Sequence, residues 1–115
     1  MQLITGDQLG EGHATPGMTR KEAFAGEGVW TGTVLLPAGT DSAWHHHGEH
    51  RNYLYIVRGL ARFENEEGDQ LDARTGDFVF IGPYEVHREV NPGSEESEVV
   101  LFRLGEGPVV VNVEH

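Results

Sequence analysis

The sequence predicts an all-β protein, and three observations carry that reading. The chain holds twelve Val, three Ile and seven Thr, concentrated in short runs. Sixteen Gly and five Pro recur between the runs. β-Branched side chains suit a pleated, half-buried surface and turn formers bound them, so each run reads as a strand. No stretch has the length or period of the helices that a parallel sheet requires between its strands. Turn signals about every 8 to 12 residues indicate a sandwich or a barrel.

In chain order, strands are expected near Val29 to Leu36, Ser42 to His47, Tyr53 to Val57, Ala61 to Asn65, Gln70 to Ala73, Phe78 to Ile81, Val86 to Val90, Glu98 to Leu104 and Val109 to Val113. The connections Pro37 to Gly39, Glu67 to Asp69, Thr75 to Asp77, Gly82 to Pro83 and Asn91 to Ser94 supply positive φ, fix φ or bond their own backbone. Thr19 to Phe24 (TRKEAF) is the one helix candidate, too short to be stable alone. The weakly patterned stretch from Glu11 to Gly28 is expected to lie as an arm on the barrel or on a second subunit. This gives an N-terminal strand and arm over residues 1–28 and a single barrel domain over 29–115. The acidic stretches Glu64 to Asp69 and Ser94 to Ser97 are expected as solvated hairpin ends.

A chain of 115 residues is one domain's worth and has one modest core. Eight Lys and Arg against nineteen Asp and Glu give a net charge of −11. A sequence-independent grip on nucleic acid or on an anionic membrane needs the opposite sign, so neither partner is expected. With no Cys, thiolate chemistry, disulfides and Cys-type metal sites are excluded. Any metal must be held by His, carboxylate or amide groups. The opening MQLITGDQLGEG has no basic leader or apolar run, and no window approaches the roughly 20 apolar residues of a membrane helix, so a cytoplasmic protein is expected.

Seven histidines are many for this length, and five stand in two places: His45, His46, His47 and His50, then His87. Alternate side chains of a strand share a face, so His45 and His47 point together while His46 points away. Two such imidazoles can bind one ion in cis, and His87 follows a Gly-Pro turn on a strand free to pair nearby. Three converging imidazoles suit Fe, Zn, Ni, Cu or Mn. His13 and His115 are expected in solvent.

These two segments resemble the paired motifs of the cupin superfamily. The first motif of those proteins reads Gly, five residues, His-x-His, three or four residues, Glu, six residues, Gly. Gly39, His45, His47 and Gly59 match, while the Glu position holds Asn52 or, at the shorter spacing, Arg51, which stays protonated and cannot ligate. The second motif reads Gly, five residues, Pro-x-Gly, two residues, His, three residues, Asn. Gly76, His87 and Asn91 match, with Gly82 and Tyr84 at the Pro and Gly positions.

The resemblance covers about residues 34 to 104 and implies a small single-domain cupin, an antiparallel jelly-roll β-barrel. It implies one divalent transition metal held by His45, His47 and His87. The fourth place stays open among Asn52, through its amide oxygen, and His50 or Glu49. Three neutral imidazoles would leave the ion its full charge and favour an anionic, chelating ligand.

A dioxygenase acting on a small anionic compound is therefore the first functional expectation. A non-catalytic small-molecule binder or sensor is the second, and an isomerase or epimerase the third. With His87 inward, parity puts Glu85, Glu89 and Asn91 on the cavity face; Glu89 is the leading catalytic candidate, with Tyr53 and Tyr55 as hydrogen donors. Arg88 and Arg103 are the cations available for a substrate carboxylate, Arg88 facing outward by parity. Trp30, Trp44, Phe78 and Phe80 are expected to pack a core or a subunit interface. A homodimer is expected, because a small barrel leaves sheet edges that a partner can cover.

Overall fold

The computed structural model describes residues 1–13, 15 and 17–114. After a 3-10 turn at Gly6–Gln8, the strands are β1 (Gly10–Glu11), β2 (Thr19–Gly26), β3 (Val29–Leu36), β4 (His45–His46), β5 (Arg51–Arg58), β6 (Leu60–Asn65), β7 (Gln70–Arg74), β8 (Phe78–Ile81), β9 (His87–Val90), β10 (Ser97–Leu104) and β11 (Val111–Asn112). Six form one sheet in the order β1-β2-β3-β10-β5-β8, and five form the other in the order β11-β4-β9-β6-β7. The pairings are antiparallel throughout. Apart from the β6–β7 hairpin, each connection after β3 carries the chain from one sheet to the other. That alternation is the jelly roll expected from the sequence.

The inner faces meet over Trp30, Val34, Leu36, Leu54, Ile56, Ala61, Phe63, Ala73, Val79, Ile81, Val99 and Leu101. Strand parity produces this core: β5 buries Asn52, Leu54 and Ile56 in alternation, and β10 buries Ser97, Val99, Leu101 and Arg103. Each of these rows is apolar in the middle and ends on a polar side chain, Asn52 and Arg103, which are register partners. β9 buries His87 and Glu89. The polar part of the interior is therefore written into the same alternation as the core.

Two local expectations are corrected. Thr19 to Phe24 is not helical; it lies in β2, paired with β3 from Thr19↔Leu35 onward. A six-residue helix cannot overcome its nucleation cost, whereas an eight-residue strand beside β3 gains a full ladder. Gly32 permits the close approach, since a Cβ there would lie 2.0 Å from the Lys21 carbonyl oxygen. Ser42 to His47 and Val109 to Val113 are mostly irregular, with only β4 and β11 regular; in the first, Ala43 takes φ 63° and interrupts the extended chain. His13 is exposed, and His115 lies outside the described residues.

Candidate metal centre

His45 in β4 and His87 in β9 are direct register partners, which sets their rings 4.4 Å apart. His47, just past β4, lies on the same face, with its ring 4.9 Å from His45 and 5.1 Å from His87. Glu89, two residues along β9, reaches within 3.5 Å of His87 Nε2. One ligand-type atom from each of His45, His47, His87 and Glu89 lies within 4.8 Å of all the others, and all four residues are buried.

The Nδ1–H groups of the three imidazoles are committed to backbone carbonyls: His45 to Ala43 at 3.0 Å, His47 to Val109 at 2.7 Å and His87 to Glu85 at 2.8 Å. This fixes the tautomer and leaves the Nε2 lone pairs facing inward. His45 Nε2 and His87 Nε2 are buried with no hydrogen-bond partner among the described residues. Buried acceptors without donors are costly, and a cation satisfies them. Ligands at about 2.1 Å from a common ion lie about 3 to 4 Å from one another, so the donor set fits a transition metal.

Both segments reach this geometry through unusual backbone. Ala43 (φ 63°) and Tyr84 (φ 57°) are the two non-glycine residues with positive φ among those described. Each lies two or three residues before a histidine of the group. Such conformations cost energy and cluster where a site demands them. Tyr84 stands where the second motif has Gly, and its left-handed backbone explains why Gly is suited to that place. Asn91 ties the backbone together around β9, since its Nδ2 donates to Leu36 O and Glu95 O, both at 2.8 Å, and its Oδ1 accepts from Gly93 N.

Electrostatics favour the neutral, metal-binding form of two of the three imidazoles. Burial holds His45 below its ordinary value, and burial with the nearby Arg103 pushes His47 down to about 2. At His87 burial also opposes the charged form, but the Glu89 carboxylate outweighs it and raises the pKa. Burial opposes ionisation of Glu89, and His87, His45 and Arg20 outweigh that, holding its pKa below the usual carboxylate range.

The expectation of an all-neutral donor set is therefore corrected, since Glu89 brings a carboxylate from the second motif where the first offers only an amide. Asn52 is fully buried, but its Oδ1 accepts from Arg103 Nε at 2.7 Å. His50 is buried outside the group, with its Nδ1 2.7 Å from His47 O. His46 faces elsewhere, accepting from Gly48 N at 3.0 Å and lying beside Tyr84. Glu85 accepts from Gly82 N and shapes the turn before β9.

Tyr53 and Tyr55 cannot serve as hydrogen donors in the cavity. Asn52 and Leu54 take the inward positions of β5, so the tyrosines emerge on the outer face against Phe80 and Phe78. Phe78 and Phe80 are accordingly exposed and do not pack the core. Arg88 points outward, bonded to Glu64 at 2.7 Å and near Asp41. Arg103 is buried, and so is Arg20, whose inward position in β2 the helical reading concealed. A strand reading of TRKEAF would have revealed it, because parity then buries Arg20.

The cupin domain family matches residues 32–103. No curated protein matches the chain. Among solved structures, the polyketide cyclase RemF from Streptomyces resistomycificus shares 17% identity with a TM-score of 0.84, over 100% of this chain and 87% of that one. A predicted oxalate decarboxylase from Thermotoga maritima shares 17% identity with a TM-score of 0.77, over 90% of this chain and 98% of that one. The Cnp3 cupin domain of Schizosaccharomyces pombe shares 13% identity with a TM-score of 0.72, and the match spans 77% of this chain but 65% of that one. These similar folds belong to proteins of different kinds, so they speak for architecture alone. With both motifs, the double-sheet fold and a match over most of its length, the chain belongs to the cupin family.

Proposed function

We propose that this cupin is a metal-dependent enzyme of dioxygenase type, acting on a small anionic or chelating compound. The convergence of three tautomer-locked imidazoles and one ionised carboxylate within 4.8 Å supports this reading. His45, His47, His87 and Glu89 would hold the ion. Held there, a divalent metal supplies Lewis acidity and, if it is iron, oxygen-insertion chemistry on a chelated substrate. The protein's own part is to fix the donors, exclude bulk water and keep Glu89 ionised. Four protein ligands leave fewer open positions than three, which favours a compact substrate.

Elemental analysis of protein purified without metal affinity, alongside His45→Ala and His87→Ala, tests the centre. Stoichiometric metal lost in both variants is the expected result, and wild-type protein that cannot be loaded overturns it. If iron is bound, oxygen consumption with diketones, catechols and thiols tests the reaction. A non-catalytic binder or sensor is the second reading: at about 10 Å³ the inner cavity has room for roughly one water, which leaves a substrate and oxygen little space beside His47 and Glu89. Absence of turnover across the panel with metal bound would select it.

A second copy of this chain is the partner we propose for the outer face of the larger sheet. β8 is an edge strand, and Tyr53, Tyr55, Phe78, Phe80 and Phe102 stand exposed on that face. Aromatic patches of this kind mark interaction surfaces.

A further inference from the structure

The barrel interior has two polar walls. The smaller sheet carries the histidines and Glu89; the larger one carries Arg20 on β2, Asn52 on β5 and Arg103 on β10. Arg20, Arg103, Asn52, His47 and Glu89 line the same inner cavity. Glu89 is the one carboxylate among its lining residues.

The hydrogen bonding on the larger sheet's wall is one-sided. Arg20 uses Nη1 on Thr15 Oγ1 and His13 O, and Arg103 uses Nε on Asn52 Oδ1. Arg20 Nε, Arg103 Nη1 and Asn52 Nδ2 are buried with no partner among the described residues. All three are donors, and Glu89 already faces His87. The charges are as uneven as the bonds. Two guanidiniums, 5% and 2% exposed, share this interior with one carboxylate. Unpaired buried donors and uncompensated buried charge are both unfavourable, and the group that relieves both is an anion with acceptor oxygens. A guanidinium matches a carboxylate in shape as well as charge.

Access is by way of Arg103. Besides the inner cavity it lines an outer cleft of about 190 Å³ with His13, Trp30, His50, Glu106 and Val109. Its guanidinium carbon lies 5.9 Å from the centre of the Trp30 ring, a cation–π contact that holds it at this boundary. A cleft of this size, smaller than most drug-sized sites, admits a ligand of a few heavy atoms.

We propose that Arg103 receives the carboxylate of a small ligand held in the Trp30–His50 cleft, with Arg20 and Asn52 behind it on the inner cavity, which at about 10 Å³ is too small to take the ligand itself. This rests on the metal-dependent reading only in that His47 and Glu89 line the inner cavity behind Arg103. The arginines select for negative charge, and the cleft selects for small size.

Oxalate is the test probe, and oxamide is its neutral counterpart of the same shape. Calorimetry on zinc-loaded protein should show oxalate bound, oxamide not bound, and oxalate weakened at least tenfold in Arg103→Met and Arg20→Met at unchanged zinc content. Binding within twofold of wild type in both variants, or oxamide bound as tightly as oxalate, overturns the assignment. If near-UV circular dichroism shows that a Met variant is misfolded, Arg103→Lys decides, because it keeps the charge but loses the fork. A threefold or greater weakening supports the proposal, and an unchanged affinity overturns it. Should the wild type take up no zinc, the metal reading fails separately. Oxalate must then raise the melting temperature of metal-free wild type and leave that of Arg103→Met unmoved. Absence of any shift overturns the arginine assignment as well.

Discussion

Glu89 lies two residues from His87 on one strand, with its carboxylate 3.5 Å from the Nε2 of that imidazole and both groups buried. The carboxylate thus belongs to the second motif, while the position where the first motif would supply it holds an amide bonded to Arg103. This arrangement assigns different consequences to Asn52, which the sequence offers as a fourth ligand, and Glu89, which it offers as a catalytic carboxylate.

Glu89→Gln keeps the shape and removes the charge. Metal affinity should fall at least about tenfold, as expected when a ligating group is lost from a preorganised site. Competition with a chromogenic chelator measures it, and unchanged affinity would remove Glu89 from the donor set.

Asn52→Ala should change metal affinity less than about threefold, because its amide oxygen is engaged by Arg103. The cost should appear in stability instead, at about 1 to 3 kcal/mol, since Arg103 Nε loses its buried acceptor. Chelator competition and urea denaturation on the same protein separate the two effects.

Metal-free protein should lose stability as pH falls from 7 to 5. His45 and His47 are held below their ordinary 6.5, so the unfolded chain binds protons there that the folded one refuses. Their contribution is complete above 6.5 and declines below it, by up to about 1.4 kcal/mol per pH unit for each group. His87, whose pKa is raised, works oppositely: its contribution is full below 6.5 and disappears as pH rises through its folded value. Between 6.5 and 5 the two depressed groups prevail. Urea midpoints in chelator at pH 7 and 5 check the sign, and a higher midpoint at pH 5 would contradict it.

Tyr84→Gly should leave stability equal or up to about 1 kcal/mol higher. Relief of the left-handed backbone, about 1 to 2 kcal/mol, offsets the roughly 0.5 to 1 kcal/mol of added chain entropy. Tyr84→Val, β-branched at the same φ, should destabilise by more than 1 kcal/mol, to about 2. Thermal melts of the two variants should therefore move apart.

Replacing Phe78 and Phe80 together with Ser should yield a monomer with the core intact, because both rings lie outside it. Light scattering on wild type and variant tests the dimer proposal; an assembly state unaltered by the double substitution counts against this face.

Much of this was legible in the chain because period-two burial is a local property. Val29 to Leu36 and Phe78 to Ile81 are strands with the bounds the sequence suggested, and parity alone put His45, His47 and Glu89 on inner faces. What spacing could not show was set by partners distant in sequence. β2 is extended because β3 lies beside it, and that pairing turns Arg20 inward. Asn52 is drawn to Arg103 by a pairing across 51 positions, which no local pattern encodes. Glu89 was visible as a cavity-facing carboxylate, but its place among the metal-type donors depends on β4 pairing with β9.

The two polar walls stand on different sheets, and this makes the sandwich a ruler. The metal-type donors and the arginines are held apart by a gap of about 10 Å³, whose size is set by the apolar side chains that space the sheets. Leu54, Val99 and Leu101 line that gap, so trimming them would enlarge it and admit a larger group between the walls. Selectivity in this protein is then a property of its core as much as of its charged groups.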